Sequence, residues 1–561
     1  MFVLLLSACD PTAEDTALPC GEGTHAEDGA CVADAADADT DTDTDADTDA
    51  DADTDTDSDT DSDTDTDTDT DTPDADGDGY TTDDCDDTNA DVNPGAVESC
   101  NNGLDDNCDG VGCAWSGEYS SDEGITLAGE RRSDGTGYFA GGGDLTGDGE
   151  GDIAVGAFGS PNAGSYAGGV WVQPGPIVAD VSLAATAWQL GGEDYDGAGY
   201  QLAVGDMNGD GVSDLFVGSY DAQNHNHGVG AAWLVEGPIT ADGQLDDLGR
   251  RWDGSGDWDL LGAILAVAGD VNGDGADDMI VGLPHNVNGA GGYGNAYVMY
   301  GPGDYDDVSD GDGWLTGAYG EANAVGLEVS GAGDTNGDGL DDVLVVGTYQ
   351  NYSSRAVYVL LGPVDGGYTP VGADATLYTL SDNNSLGEGD PGIAGLGDTD
   401  GDGYGDVIAT AYNDTSGGNP TQSGANYIVN GPLSGLINLA TADARIFGDE
   451  ASDIAGVTVV GPGDVDGDGT ADLLMGLLSD RYGSNSGATA LVPGPFRGTH
   501  DLSEVATAYF YGADATSGAY RPRAVGDLRG DGVMDFAVGA SGGDGDEAAS
   551  GLVSVYHGGG F

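Results

Sequence analysis

Residues 269–283 read Gly-Asp-Val-Asn-Gly-Asp-Gly-Ala-Asp-Asp-Met-Ile-Val-Gly-Leu, an acidic, glycine-rich loop running straight into a short apolar strand. The same pattern recurs as GDLTGDGEGDIAVGA from Gly143, GDMNGDGVSDLFVGS from Gly205, GDTNGDGLDDVLVVG from Gly333, GDTDGDGYGDVIATA from Gly397, GDVDGDGTADLLMGL from Gly463 and GDLRGDGVMDFAVGA from Gly526. The first aspartates, Asp144, Asp206, Asp270, Asp334, Asp398, Asp464 and Asp527, are spaced by 62, 64, 64, 64, 66 and 63 residues. A fixed period of this length is the mark of a repeat architecture. In each copy a Gly-rich approach such as Gly199-Tyr200-Gln201-Leu202 precedes the loop. An alternating strand ending in Gly-Pro follows it, as in GNAYVMYGP and SRAVYVLLGP, and a further strand such as TAWQLGG, RIFGD or AYFYG closes the unit. Four short strands per repeat, seven times over, predict an all-β fold, a seven-bladed β-propeller over residues 114–561.

The loops carry the chemistry. Positions 1, 3, 5 and 9 offer side-chain oxygens and position 7 a backbone carbonyl, the pattern of oxygen-only loops that wrap a hard cation. Clustered carboxylates repel one another unless a cation neutralises them, and the absence of His and Cys from the loops favours Ca²⁺ over softer metals. The expected ligands are Asp144, Thr146, Asp148 and Asp152; Asp206, Asn208, Asp210 and Asp214; Asp270, Asn272, Asp274 and Asp278; Asp334, Asn336, Asp338 and Asp342; Asp398, Asp400, Asp402 and Asp406; and Asp464, Asp466, Asp468 and Asp472. That makes six propeller sites, the one holding Thr146 weaker. In the seventh loop Arg529 stands at position 3, where a guanidinium cannot ligate a cation but can pair with Asp527, Asp531 or Asp535. The competing reading is Asx-turn chemistry with no metal. The tripeptide Arg529-Gly530-Asp531 follows from the repeat template and carries no separate meaning.

The repeated motif resembles the FG-GAP repeat of the integrin alpha-subunit head, and the related calcium-loop repeats of bacterial surface proteins. The resemblance covers 114–561 and implies a seven-bladed propeller with calcium in its loops and a role in adhesion. The "FG" half of the motif is degenerate here. The last repeat ends at GLVSVYHGGGF, after its third strand, while Ile125-Thr126-Leu127-Ala128-Gly129 stands ahead of the first loop. That segment is expected to supply the missing fourth strand and so remove two exposed sheet edges.

The chain has 561 residues, with 104 Asp and Glu against 11 basic residues, all of them Arg, for a formal net charge of −93. Only 16 of the acids are Glu, and the preference for the shorter acid suits turns and metal loops. Such a charge excludes nucleic acid as a partner and attraction to an anionic membrane surface. With 103 glycines a helix-rich fold is improbable.

Ahead of the propeller four segments are distinguishable. Residues 1–9, MFVLLLSAC, resemble the lipobox of bacterial lipoproteins, which implies lipidation of Cys9, export, and an outer-membrane or cell-surface location; the basic segment that normally opens such a signal is missing. Were the match fortuitous, the protein would be secreted without an anchor. Residues 10–33 form a small segment in which Cys20 and Cys31 are expected to pair. Residues 34–72 alternate Asp with Thr, Ala or Ser and have nothing to bury, so a disordered linker is expected. It would act as a stalk, a plain spacer or a low-affinity calcium sponge. Residues 73–113 resemble an Asp/Cys-rich metal-binding motif of secreted bacterial proteins, through Asp74-x-Asp76-x-Asp78-Gly79, Asp84-Cys85-Asp86-Asp87, Pro94-Gly95-Ala96 and Asn107-Cys108-Asp109-Gly110. Carboxylates at Asp74, Asp76 and Asp78 followed by Gly suit one further hard cation; the alternative is an acidic disulfide knot without metal. Cys85, Cys100, Cys108 and Cys113 are candidate disulfide partners in three possible connectivities.

Catalytic signatures are absent: no HExxH, GxSxG or P-loop occurs. The six histidines include the pair His225 and His227, read as part of an exposed loop. No catalytic residue is singled out. The expectation is a calcium-binding, cell-surface-anchored, non-catalytic binding or adhesion module whose partner is a protein or a glycan. Membrane contact would come only through the lipid anchor. The alternative is a cell-surface carbohydrate-active hydrolase or lyase built on the propeller, since fold alone does not give function.

Overall fold

The structure is a computed structural model. It describes residues 115–559, except 132–133, 161–164, 220–228, 255–258, 286–293, 319–323, 350–353, 380–385, 388, 390, 413–421, 451, 479–485, 514–516 and 544–549, together with the backbone of 24–27 and 30–33. The chain divides into two units, 1–70 and 71–561. In the first, strands Thr24–Glu27 and Ala30–Ala33 pair as an antiparallel hairpin.

In the second unit the seven repeats become seven sheets. Each blade begins with a strand that leads into its acidic loop: Ala140–Gly143, Gln201–Gly205, Leu265–Gly269, Val329–Gly333, Ile393–Gly397, Thr458–Gly463 and Arg521–Gly526. These first strands abut one another in order, and the seventh abuts the first, so the sheets close into a ring. The second strands, such as Asp278–Leu283, are buried along their whole length in six of the seven blades. This matches the unbroken apolar runs read in the sequence, because a strand covered on both faces needs apolar residues on both. The core lies between neighbouring blades; one cluster, for example, joins Val170, Val172 and Leu190 of blade 1 to Leu215, Val217 and Trp233 of blade 2.

The glycine that follows the apolar run is dictated by this packing. A Cβ on Gly218 would lie 2.0 Å from the Gly262 carbonyl of the next blade, and one on Gly539 would lie 2.0 Å from Gly137 O. The backbone of one blade passes directly over the second strand of the blade before it, and no side chain fits between them.

Ring closure follows the expected route. Ile125–Ala128 pairs antiparallel with Leu552–Tyr556, in register Leu552↔Ala128 to Val555↔Ile125, as the fourth strand of blade 7. Leu127 is fully buried there. The structure adds a second clasp: Gly117–Ser120 pairs parallel with Ala508–Tyr511 of blade 6. Just ahead of it, Trp115 wedges between blades 6 and 7, with its ring edge-on to Tyr119, Phe510, Phe536 and Tyr556 at centroid distances of 5.0, 5.2, 5.9 and 5.7 Å.

Four strands per blade were expected, and most sheets have five. A short strand from the following blade lies parallel to the outer strand of the blade before it, as Gly435–Asn438 does on Ala375–Tyr378 and Gly498–Asp501 on Ala444–Phe447. This covers an edge that four strands would leave open. Blade 2 has only four. Its outer strand Arg250–Asp253 is covered by side-chain contacts instead: Arg250 pairs with Asp304 at 2.5 Å and Trp252 Nε1 donates to Tyr305 O at 3.0 Å.

One expectation is corrected. Disulfide bonds were expected among Cys20, Cys31, Cys85, Cys100, Cys108 and Cys113, but the structure shows no disulfide among the described residues. Cys31, the one cysteine on a described element, stands opposite Ala26 in the hairpin register; the other five and Cys9 lie outside the described residues. The propeller contains no cysteine. It is joined by strand pairing and by packing between blades, so its closure requires no covalent staple.

Candidate metal loops

Each loop is shaped first by its position-1 aspartate. In blade 3, Asp270 accepts backbone N–H groups from Gly273, Asp274 and Gly275 at 2.7, 3.0 and 2.9 Å. Gly273 and Gly275 lie at φ 79° and 90°, a region that ordinary side chains resist. Position 5 then accepts the N–H of position 7, as Asp274 does from Ala276 at 3.0 Å. Equivalent bonds recur in blades 1, 2, 4, 5 and 6 at Asp148, Asp210, Asp338, Asp402 and Asp468.

Position 9 is the buried anchor. Asp152, Asp214, Asp278, Asp342, Asp406, Asp472 and Asp535 are all 0% exposed. One carboxylate oxygen of each accepts the N–H of the glycine that follows the third strand: Gly175, Gly237, Gly301, Gly362, Gly431, Gly494 or Gly558. The other oxygen accepts from the start of its own loop, as Asp278 does from Val271 N at 2.8 Å. Burial pushes these carboxyls up, to about 6 at Asp214 and Asp342 and to about 7 at Asp278 and Asp472. Asp152 and Asp406 are raised for the same reason. Withdrawal from water disfavours the charged form.

Position 3 separates the loops. In blades 5 and 6, where it is Asp, the structure gathers Asp398, Asp400 and Asp406, and Asp464, Asp466 and Asp472, with one carboxylate oxygen from each residue of a trio within 4.8 Å of the others. In blades 2 and 3 the Asn208 and Asn272 amides lie against Asp214 and Asp278 at 3.3 and 3.5 Å, and in blade 4 Asn336 donates to Asp338 at 3.0 Å. In blade 1 position 3 is Thr146, whose hydroxyl stands beside the buried Asp152 carboxylate. The donor set of the six loops, oxygen throughout and rich in carboxylate, suits a hard divalent cation, and buried acceptors such as Asp400 Oδ1 have no protein donor.

Blade 7 is built differently. Arg529 Nη2 lies 2.7 Å from Asp531 Oδ2 and donates to Gly558 O at 2.8 Å. His557 sets Nδ1 3.2 Å from Asp535 Oδ2 and Nε2 2.8 Å from Ile177 O. The guanidinium pairing was legible from the sequence; the histidine was not, because it follows the third strand, Leu552–Tyr556, well away from the loop in sequence.

The loops also touch one another. The position-8 N–H of one blade donates to the position-1 carbonyl of the blade before it: Ser213 to Asp144, Asp277 to Asp206, Asp341 to Asp270, Gly405 to Asp334 and Met534 to Asp464, all at 2.7–3.0 Å. Where position 8 is itself acidic, its carboxylate returns a second bond: Asp277 and Asp341 accept from Asp206 N and Asp270 N at 2.8 Å. Sequence reading missed these two, because position 8 varies from copy to copy and carries no repeated signal. Asp74, Asp76 and Asp78 lie outside the described residues. No helix among the described residues is long and apolar enough to cross a membrane.

Residues 198–235 match the family described as "FG-GAP repeat", a span from the Gly199-Tyr200 approach of blade 2 through its loop to the end of its third strand. Residues 84–112 match the family described as "Putative metal-binding motif". The propeller is similar to integrin alpha chains. It is 29% identical to integrin alpha-PS2 of Drosophila melanogaster over 234 residues, covering 38% of this chain and 15% of that one. It is 30% identical to integrin alpha pat-2 of Caenorhabditis briggsae over 250 residues, 41% of this chain and 19% of that one. With integrin alpha-7 of Rattus norvegicus it shares 34% identity over 152 residues, 27% and 12% of the two chains. The chain thus spans under a fifth of the length of these relatives. A solved structure described as "Structure of Dos1 propeller" overlaps with TM-score 0.34 at 8% identity, over 72% of this chain and 75% of that chain; the blade count stands on strand pairing and not on that overlap.

Proposed function

We propose that this protein is a calcium-loaded propeller that acts as a non-catalytic binding or adhesion module, exported and held at a cell surface through Cys9. The observation that carries the calcium reading is the position-9 carboxylate. In all seven blades it is fully buried and accepts the same glycine N–H, and in blades 5 and 6 two further carboxylates gather beside it. Asp144, Asp148, Asp152 and Thr146, with their counterparts in blades 2–6, would hold the ions, about six in all. The cation would neutralise carboxylates that burial otherwise disfavours. Similarity to integrin alpha chains supports adhesion as the role, with a protein or glycan as the partner.

Two measurements test the reading. Chelation should lower the melting temperature by many degrees, because a ligand that binds only the folded state stabilises it, and Mg²⁺ should restore little; an unchanged melt removes calcium from the account. A glycan and protein array, probed with and without EDTA, should show calcium-dependent binding without turnover. Turnover of a bound glycan would replace adhesion by the carbohydrate-active reading.

A further inference from the structure

The residue just before the glycine that bonds to position 9 overlooks the loop of its own blade. In blade 7 that residue is His557, which reaches Asp535. In blade 5 it is Asn430, whose Nδ2 donates to Asp400 Oδ2 at 2.6 Å. Elsewhere the place is held by Pro174, Glu236, Tyr300, Leu361 and Pro493, so blade 5 is the one repeat with an amide there. Two buried oxygens remain in this corner without a hydrogen-bond partner, Asp400 Oδ1 and Asn430 Oδ1. Both are acceptors, so a donor or a cation satisfies them, and the nearby side chains of Asp398 and Asp406 offer more acceptors. Arg497 stands 3.9 Å from Asp400 but is 70% exposed, too distant and too solvated to neutralise the trio.

Resting on the calcium reading above, we infer that Asn430 supplies an additional oxygen ligand to the blade 5 loop and makes it the tightest cation site of the ring. The loop then offers Asp398, Asp400, Asp402, Asp406, the Tyr404 carbonyl and the Asn430 amide. Calcium takes six to eight oxygens at flexible geometry, whereas Mg²⁺ demands a smaller octahedron. An extra neutral oxygen therefore raises affinity for the larger ion without adding charge repulsion, and it sharpens selection against magnesium.

Blade 5 can be read separately in a Tyr300→Phe, Asp334→Ala background, which removes the tyrosine overlooking blade 3 and disables the blade 4 loop whose Gly337 lies against the Tyr404 ring; Tyr404 is the only aromatic residue at position 7 of any repeat. Tb³⁺ bound there is excited through the tyrosine, and Tyr404→Phe identifies that component in the full-length chain. Asn430→Ala should weaken Ca²⁺ displacement of this signal by roughly tenfold or more and leave the other sites unchanged. Asn430→Asp should restore or exceed the parent affinity, since it keeps the oxygen and loses the N–H. If Asp is as weak as Ala, the residue serves only as a donor to Asp400 and the inference is overturned; unchanged affinity in Asn430→Ala overturns it equally. Failure of the parent protein to bind Ca²⁺ or Tb³⁺ at all would instead remove the calcium reading on which it rests.

Discussion

Arg529 and Asp531, two residues apart in the seventh loop, form an ion pair at 2.7 Å in the place where the other loops set an oxygen at position 3 and a carboxylate at position 5. With His557 Nδ1 3.2 Å from Asp535 Oδ2, blade 7 sets a guanidinium and an imidazole against its carboxylates in place of the oxygens that the other loops offer.

Replacing those groups should create a site. Arg529→Asn with His557→Asn is expected to add one bound Ca²⁺ per chain in a calorimetric titration, and Arg529→Asn alone a weaker one. An unchanged stoichiometry in the double variant would show that blade 7 is closed to metal for another reason.

Without metal, stability should depend on pH in an unusual direction. The position-9 carboxyls are raised in the folded state, to about 6 or 7 at Asp214, Asp278, Asp342 and Asp472, above their ordinary unfolded value. Folding therefore takes up protons, and the stability these groups contribute is full below the ordinary carboxylate range and is lost as pH rises through 6–7. In EDTA the melting temperature should be higher at pH 5 than at pH 7.5, and saturating Ca²⁺ should flatten the difference. Asp278→Asn with Asp472→Asn should reduce the slope in EDTA; a slope unaffected by that pair would place its origin in the general charge of the chain.

Closure should depend on residues 115–129 and not on the acidic segment 34–72. Deleting 34–72 should leave the propeller melt unaltered. Removing residues through Gly129 takes away the fourth strand of blade 7 and the outer strand of blade 6, exposing edges that pair with other chains. Light scattering should then report association, and calorimetry a lower melt. A truncated protein that remains monomeric and as stable as its parent would refute the clasp.

The Trp115 wedge gives a finer test. The side chain is 1% exposed and lies among four aromatic rings. Trp115→Ala should cost about 3–5 kcal/mol, read as a shift in the denaturation midpoint with blades 1–5 still folded by amide exchange. A loss under about 1 kcal/mol would show that strand pairing alone holds blades 6 and 7 together.

The repeat period made the blades and their number legible, and the strand at Ile125–Ala128 could be assigned because blade 7 visibly lacked one. The loops were legible for the same reason: position 9 recurs as Asp in all seven copies. What remained hidden depends on neighbours brought together by the ring. Trp115 and Gly117–Ser120 lie outside any repeat, and their partners Phe510 and Ala508–Tyr511 are nearly four hundred residues away in sequence. Asp277 and Asp341 bridge loops of different blades, and Asn430 meets Asp400 only because the third strand returns beside the loop. The disulfide expectation came from counting cysteines, a rule for small domains without a core, and the core of the described residues lies in the cysteine-free propeller.

The clasp also sets the order in which this molecule can be completed. Each of blades 1 to 6 draws its first four strands from a single stretch of about one repeat and can form as soon as that stretch is available. Blade 7 cannot: its outer strand is synthesised first and its inner three last, and Ser554 bonds to Ser121 across 433 residues of chain. Contacts so distant in sequence form slowly. Until Leu552–Tyr556 arrives, the growing propeller is an open arc with an unsatisfied margin at each side, and its exposure to misassembly lasts as long as Ile125–Ala128 waits for that partner.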